Sequence, residues 1–171
     1  MKTAFQILII LLILNSCKNE ILKEYDNYEV NENLKFDSAF HNFKEYQNIN
    51  IGMNQKFLFY SIIKSFSDNY KPNAKLKNDT LNIEINNYNG NFGNGILIRI
   101  FDNKFLVKSI DPNVIKGIKF EKYKLISQKL ILDQNKFKIS DRLNGRIEFE
   151  CEIPEVKIKE MSGFFRLKIT E

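Results

Sequence analysis

Histidine, cysteine and proline are scarce in this 171-residue chain, and each scarcity excludes a kind of chemistry. A zinc site takes three or four ligands, typically with paired Cys/His spacing, and nothing near His41, the one histidine, supplies them. His41 therefore reads as a surface residue. A serine nucleophile worked by histidine would also have to use His41, yet no Gly-x-Ser-x-Gly elbow occurs. Two cysteines, Cys17 and Cys151, are too few for a disulfide framework, and a chain of this size buries enough surface to fold without one. The three prolines (Pro72, Pro112, Pro154) fall at segment ends, where sheets tolerate them. No apolar run reaches the ~20 residues that span a bilayer as a helix, and no internal repeat occurs. No metal, cofactor or catalytic residue is assigned on these grounds.

The amino-terminal residues read as a leader. Met1 and Lys2 precede the apolar run 4–14, which stops at Asn15-Ser16-Cys17. One basic residue, an apolar core and a small residue at the cut are what secretory processing requires. Leu14-Asn15-Ser16-Cys17 resembles the lipobox of bacterial lipoproteins. The resemblance implies that residues 1–16 are a signal peptide and that Cys17 is acylated, becomes the first residue of the mature chain and anchors it to the membrane. Lys18 follows where some related lipoproteins carry an inner-membrane retention aspartate, so the resemblance leans towards the outer membrane. With Cys17 lipidated, Cys151 has no intramolecular partner. The alternation Ile147, Phe149, Cys151, Ile153 puts it on one apolar strand face, so it reads as a buried thiol.

The mature chain keeps 25 basic against 21 acidic residues, a mildly basic balance suited to anionic lipid or glycan surfaces. It lacks the concentrated stripe of a nucleic-acid binder, and no nucleic-acid partner is expected. Residues 17–33 read as lipid anchor and tether: from Lys18 onward they are polar and charged, without sustained period. Sixteen such residues fully extended would reach about 50–58 Å, enough to hold a domain clear of the lipid. A single β domain is expected over 34–171.

That expectation rests on period-two alternation. Leu81, Ile83 and Ile85 alternate with Asn82, Glu84 and Asn86; Ile96, Ile98 and Ile100 follow; Asp102-Asn103 then suits a tight hairpin into Phe105 and Val107. Residues 81–110 are thus predicted as a three-stranded meander. A second hairpin is predicted with Phe137 opposite Phe149, Lys138 opposite Glu148, Ile139 opposite Ile147 and Asn144-Gly145 in the connection. Residues 122–132 predict a long strand, and Phe165, Leu167 and Ile169 the last one. The stretch 54–70 fits a buried helix or a buried strand; its aromatic and β-branched content favours strand. The fold class is therefore mainly β: an antiparallel two-sheet sandwich, with a barrel as second choice. Residues 139–147 resemble the strand, Gly-Asp turn, strand signature of immunoglobulin-like sandwich modules, with Ser140 in the glycine position. That resemblance bears on fold alone.

Several segments invite a functional reading. Ser61-x-x-Lys64 and Ser67-Asp68-Asn69 have the form of penicillin-binding-protein motifs, but they nearly touch in sequence where those enzymes need them far apart, so coincidence explains them. Glu148, Glu150 and Glu152 share one strand face and read as a solvated ladder opposite Lys136 and Lys138. The Asn/Gly loop 87–95 is the candidate ligand site: Tyr88 and Phe92 can stack on a sugar or peptide while Asn89 and Asn91 supply paired donors and acceptors. The basic and aromatic run 116–124 is its rival. The expected function is a lipid-anchored cell-envelope protein with a binding or accessory domain for a glycan or envelope protein. The alternatives are an envelope hydrolase using paired carboxylates, or a protective inhibitor of a secreted protein.

Overall fold

Tight turns and alternating strands build this protein. The structure, a computed structural model, describes residues 24–40, 48–57, 62–65, 70–87, 95–111, 119–154 and 157–171. At the Asp102-Asn103 turn both residues take positive φ, 51° and 59°, as a two-residue hairpin with right-handed strand twist demands. Asn78-Asp79 repeats the geometry at 47° and 59°. These turns join β5 (Lys71–Lys77) to β6 (Thr80–Asn86), and β7 (Gly95–Phe101) to β8 (Lys104–Asp111). The predicted meander is present in register, with Ile83 opposite Ile98 and Ile98 opposite Val107.

The other half is organised around two long strands, β11 (Arg142–Ile153) and β12 (Lys157–Thr170), flanked by β10 (Lys124–Leu132) and β3 (Asn48–Phe57). A short β4 (Ile62–Ser65) pairs with β3, so within 54–70 residues 54–57 and 62–65 are strand. The second hairpin departs from expectation. Phe149 lies opposite Gln128 of β10 and Met161 of β12, Glu148 opposite Lys129 and Ser162, and Asn144-Gly145 sits inside β11. Residues 133–141 form a loop instead. Its ends are fixed by Asp133, whose carboxylate accepts from Asn144 N at 3.0 Å and Asn144 Nδ2 at 2.5 Å, and by Asp141, which accepts from Lys138 N at 3.1 Å. Ser140 takes φ of 76°, the left-handed position that glycine would fill in the immunoglobulin-like signature. Gly145 has another role. A Cβ on it would stand 2.1 Å from Phe165 Cζ, so the Phe165 ring occupies the space where a side chain would be.

The strands form one mixed sheet, ordered β8-β7-β6-β5-β12-β11-β10 through its centre and rolled nearly into a barrel. The mainly β class stands, in the barrel form. At one junction the end of β12 pairs parallel with β5, Ile169 opposite Ala74, reinforced by Thr170 Oγ1 donating to Ala74 O at 2.8 Å. At the other, β8 and β10 do not form a ladder, and side chains close the seam. Val107 N–H donates to Gln128 Oε1 at 2.9 Å, and Tyr123 OH donates to Val107 O at 2.6 Å, so the β8 edge at Val107 is satisfied by side chains.

The amino-terminal segment stitches the same seam. Strand β1 (Asp26–Asn27) pairs with β8, and β2 (Glu29–Val30) pairs parallel with β10. Gln128 Nε2 also donates to Glu24 O and Asp26 Oδ2, at 3.1 and 2.7 Å. Within the span expected as tether, residues 24–33 thus lie on the barrel, because the seam's backbone groups need partners that this polar stretch supplies. Two 3-10 turns, Glu32–Phe36 and Ser38–Phe40, continue it and bury Leu34 and Phe40 over the outer face at Ile131 and Phe164. Inside, Ile83, Ile98, Val107, Leu132, Leu143, Ile147, Phe165 and Leu167 pack into one core. Each such buried side chain is worth about 1.5–3 kcal/mol relative to exposure.

Candidate functional site

Among the described residues two places carry polar chemistry, a buried charge at one end of the barrel and a groove on its outer face. The buried charge is Lys159. It lies on the inward parity of β12 with Met161, Phe165 and Leu167, and its residue is fully buried. Its ammonium donates to Gly95 O at 2.8 Å, Ser109 Oγ at 2.7 Å and Glu121 Oε2 at 3.2 Å. Ser109, also fully buried, hydrogen-bonds Glu121 Oε2 through its hydroxyl. Three ammonium protons thus meet three acceptors. Desolvation pulls the Lys159 pKa down, and the Glu121 carboxylate opposes it. Gly95 is held close to β6, where a Cβ would come within 2.8 Å of Ile85 O, and this approach presents its carbonyl to Lys159.

Cys151 stands opposite Lys159 in the β11–β12 register. Burial pushes its thiol up to about 12, and the nearby ammonium only partly counters this. It is buried, as the apolar strand face predicts. Ser109 and Lys159 have the spacing of a nucleophile and base, but Ser109 is inaccessible and the lysine's protons are all engaged. The arrangement holds structure together rather than offering a place for a substrate.

The groove runs across the outer face of β5, β6 and β7, with a volume of about 920 Å³. Register brings Lys75, Asn82 and Arg99 into one row over the three strands, and Asn73, Glu84 and Leu97 into the next. Arg99 Nε donates to Asn82 Oδ1 at 3.3 Å, which orients the guanidinium within the groove. Apolar surface comes from Phe120, 45% exposed, and Ile139, 53% exposed. Phe120 belongs to strand β9 (Lys119–Phe120), which pairs with the end of β8, and Lys108 Nζ lies 5.0 Å from its ring. On its other side Phe120 lines a smaller depression of about 330 Å³, with Lys108, Glu121, Lys122 and Tyr123.

Of the residues singled out from sequence, Cys17, Tyr88, Asn89, Asn91, Phe92, His41, Ser61, Ser67, Asp68 and Asn69 lie outside the described residues. The run 116–124 divides: Phe120 faces out, whereas Tyr123 turns in, edge-on to Phe149 with ring centroids 5.9 Å apart. Burial, aided by the Glu24 and Cys151 charges, pushes the Tyr123 hydroxyl up to about 12. Glu148 receives Arg146 Nη2 at 2.6 Å and faces Lys129 rather than Lys138, because β10, not 133–141, is the strand beside it. Among the described residues no group of three or more His, Cys, Asp or Glu side chains could hold a metal ion.

No known protein family, curated protein or solved structure matches this chain. The site is therefore defined by its own residues. Lys159 and Ser109 escaped notice in the sequence, although parity marks both: counting back by twos from Phe165 reaches Lys159, and forward from Phe105 and Val107 reaches Ser109.

Proposed function

We propose that the protein is anchored through acylated Cys17 at the outer membrane, and that its barrel is a binding module whose groove on β5–β7 takes an anionic glycan of the envelope. The observation that supports this reading is the registered row Lys75, Asn82, Arg99 beside the exposed Phe120 ring. An amide offers a donor and an acceptor to neighbouring hydroxyls, a guanidinium takes a carboxylate or phosphate, and a ring accepts the apolar face of a sugar. The filled barrel interior and the fully engaged Lys159 favour binding over catalysis. Glu84 and Glu171 line the same groove, so a paired-carboxylate hydrolase is the alternative, and it would show itself by releasing shorter products.

The test is direct binding of polygalacturonate oligomers to the full-length protein in detergent, with a neutral maltohexaose control. Lys75→Glu together with Arg99→Glu reverses the groove's charge at positions that are not buried, so the fold should survive while affinity for the uronate falls at least about tenfold. Equal binding by wild type and variant, or equal binding of the neutral control, would remove the groove as the site.

A further inference from the structure

We infer that the Glu121–Lys159 ion pair is a latch that fixes β9 against the end of the barrel and thereby positions Phe120 as the aromatic wall of the groove; its link to binding rests on the groove reading above. Strand β9 has only two residues, far too few to hold a place in a sheet by its ladder alone. Its pairing with β8 covers Ile110 opposite Phe120 and Asp111 opposite Lys119, followed by Glu121 N–H donating to Ser109 O at 3.1 Å. Alternation then separates the two side chains. Phe120 lines the groove, and Glu121 turns its carboxylate to Ser109 and Lys159.

The strength of this attachment follows from where the charges sit. Lys159 has a side chain 1% exposed, whereas that of Glu121 is 29% exposed. Glu121 could be solvated if β9 lifted away; Lys159 could not. Lifting β9 would strand an ammonium in the core, a far greater cost than losing the few backbone bonds of a two-residue strand. Lys159 thus makes opening of β9 unfavourable, and the same opening would carry Phe120 out of the groove. Glu121 and Lys159 touch no ligand in this scheme; they act through Phe120 as positioning residues.

This scheme predicts opposite effects on global stability and on β9. In the full-length protein Glu121→Gln leaves the ammonium without its paired carboxylate, so the urea midpoint should fall. Lys159→Met keeps the length and removes the buried charge, so the midpoint should hold or rise, while exchange of the Glu121 amide accelerates at least about tenfold and uronate binding weakens. Arg99→Glu should weaken binding without changing that exchange. Wild-type exchange at Glu121 in Lys159→Met would overturn the latch and leave the groove reading intact. Accelerated exchange in a protein whose wild type binds no uronate would support the latch and overturn the groove reading instead. Should Lys159→Met not fold, Glu121→Asp, one methylene shorter at a partly solvated position, gives the same amide readout without altering the core: faster exchange supports the latch, and unchanged exchange overturns it.

Discussion

Adding one methyl group, in Gly145→Ala, tests the packing of the barrel at its most crowded point. The new Cβ would lie 2.1 Å from Phe165 Cζ and 2.6 Å from Cε1 and Cε2, so the ring would have to retreat by well over an ångström. It has nowhere to go. Phe165 is fully buried, as are Leu143 and Ile147 in the same core. Overpacking of this kind, off-rotamer strain included, costs about 1–3 kcal/mol, and so close an approach belongs at the upper end. Alanine's lower backbone entropy in the unfolded chain returns roughly 0.5–1 kcal/mol, leaving a net loss of about 2–2.5 kcal/mol. In urea, with a slope of about 1–3 kcal/mol/M, the midpoint should fall by roughly 1 M or more at unchanged slope. Gly145→Ala/Phe165→Leu should recover part of the loss, giving a coupling energy above about 1 kcal/mol in a double-mutant cycle. A midpoint within about 0.2 M of wild type, with no coupling, would refute the contact.

Cys17→Ala should move the protein from the membrane to the soluble fraction; retention after carbonate washing would contradict the anchor, provided mass spectrometry shows that the leader has been removed. Cys151 should resist iodoacetamide at pH 8 in the native state and react in urea, because its folded thiol ionises near 12 against an ordinary value of 9.0. The same shift means that stability supplied by the neutral thiol is complete below pH 9 and is lost as pH rises towards about 12, so rapid native alkylation would count against burial.

The parts of the fold legible in the sequence are those whose cause is local. The meander could be read because its side-chain parity and the left-handed tolerance of Asp102-Asn103 both act within a few residues. The second hairpin departs from its local pattern for the same reason: Asn144-Gly145 has turn chemistry, but the glycine answers to Phe165, twenty residues away, which no local pattern announces. Opposite charges at 136–138 and 148–150 suggested a pairing that β10 in fact supplies through Lys129. The seam between β8 and β10 was invisible, since it is closed by Gln128 and Tyr123 rather than by a ladder. The groove row needed the registers of three strands at once. Lys159 could have been found by parity, yet a lysine inside an apolar alternation reads as an interruption until its partners on β7, β8 and beyond β9 are known.

The seam also sets the leash. If Cys17 is acylated as proposed, Glu24, tied to the barrel through Gln128, lies only seven residue steps from the lipid, a span of at most about 25 Å. That is half the reach the polar amino-terminal stretch suggests when read as a free tether. A domain so confined would sample a thin layer above the bilayer instead of the open periplasm or medium. Its local concentration against lipid-proximal saccharides would then be high, whereas chains lying further out would have to come down to it. Selectivity would then arise partly from altitude: ligands identical in chemistry would be distinguished by their height above the membrane.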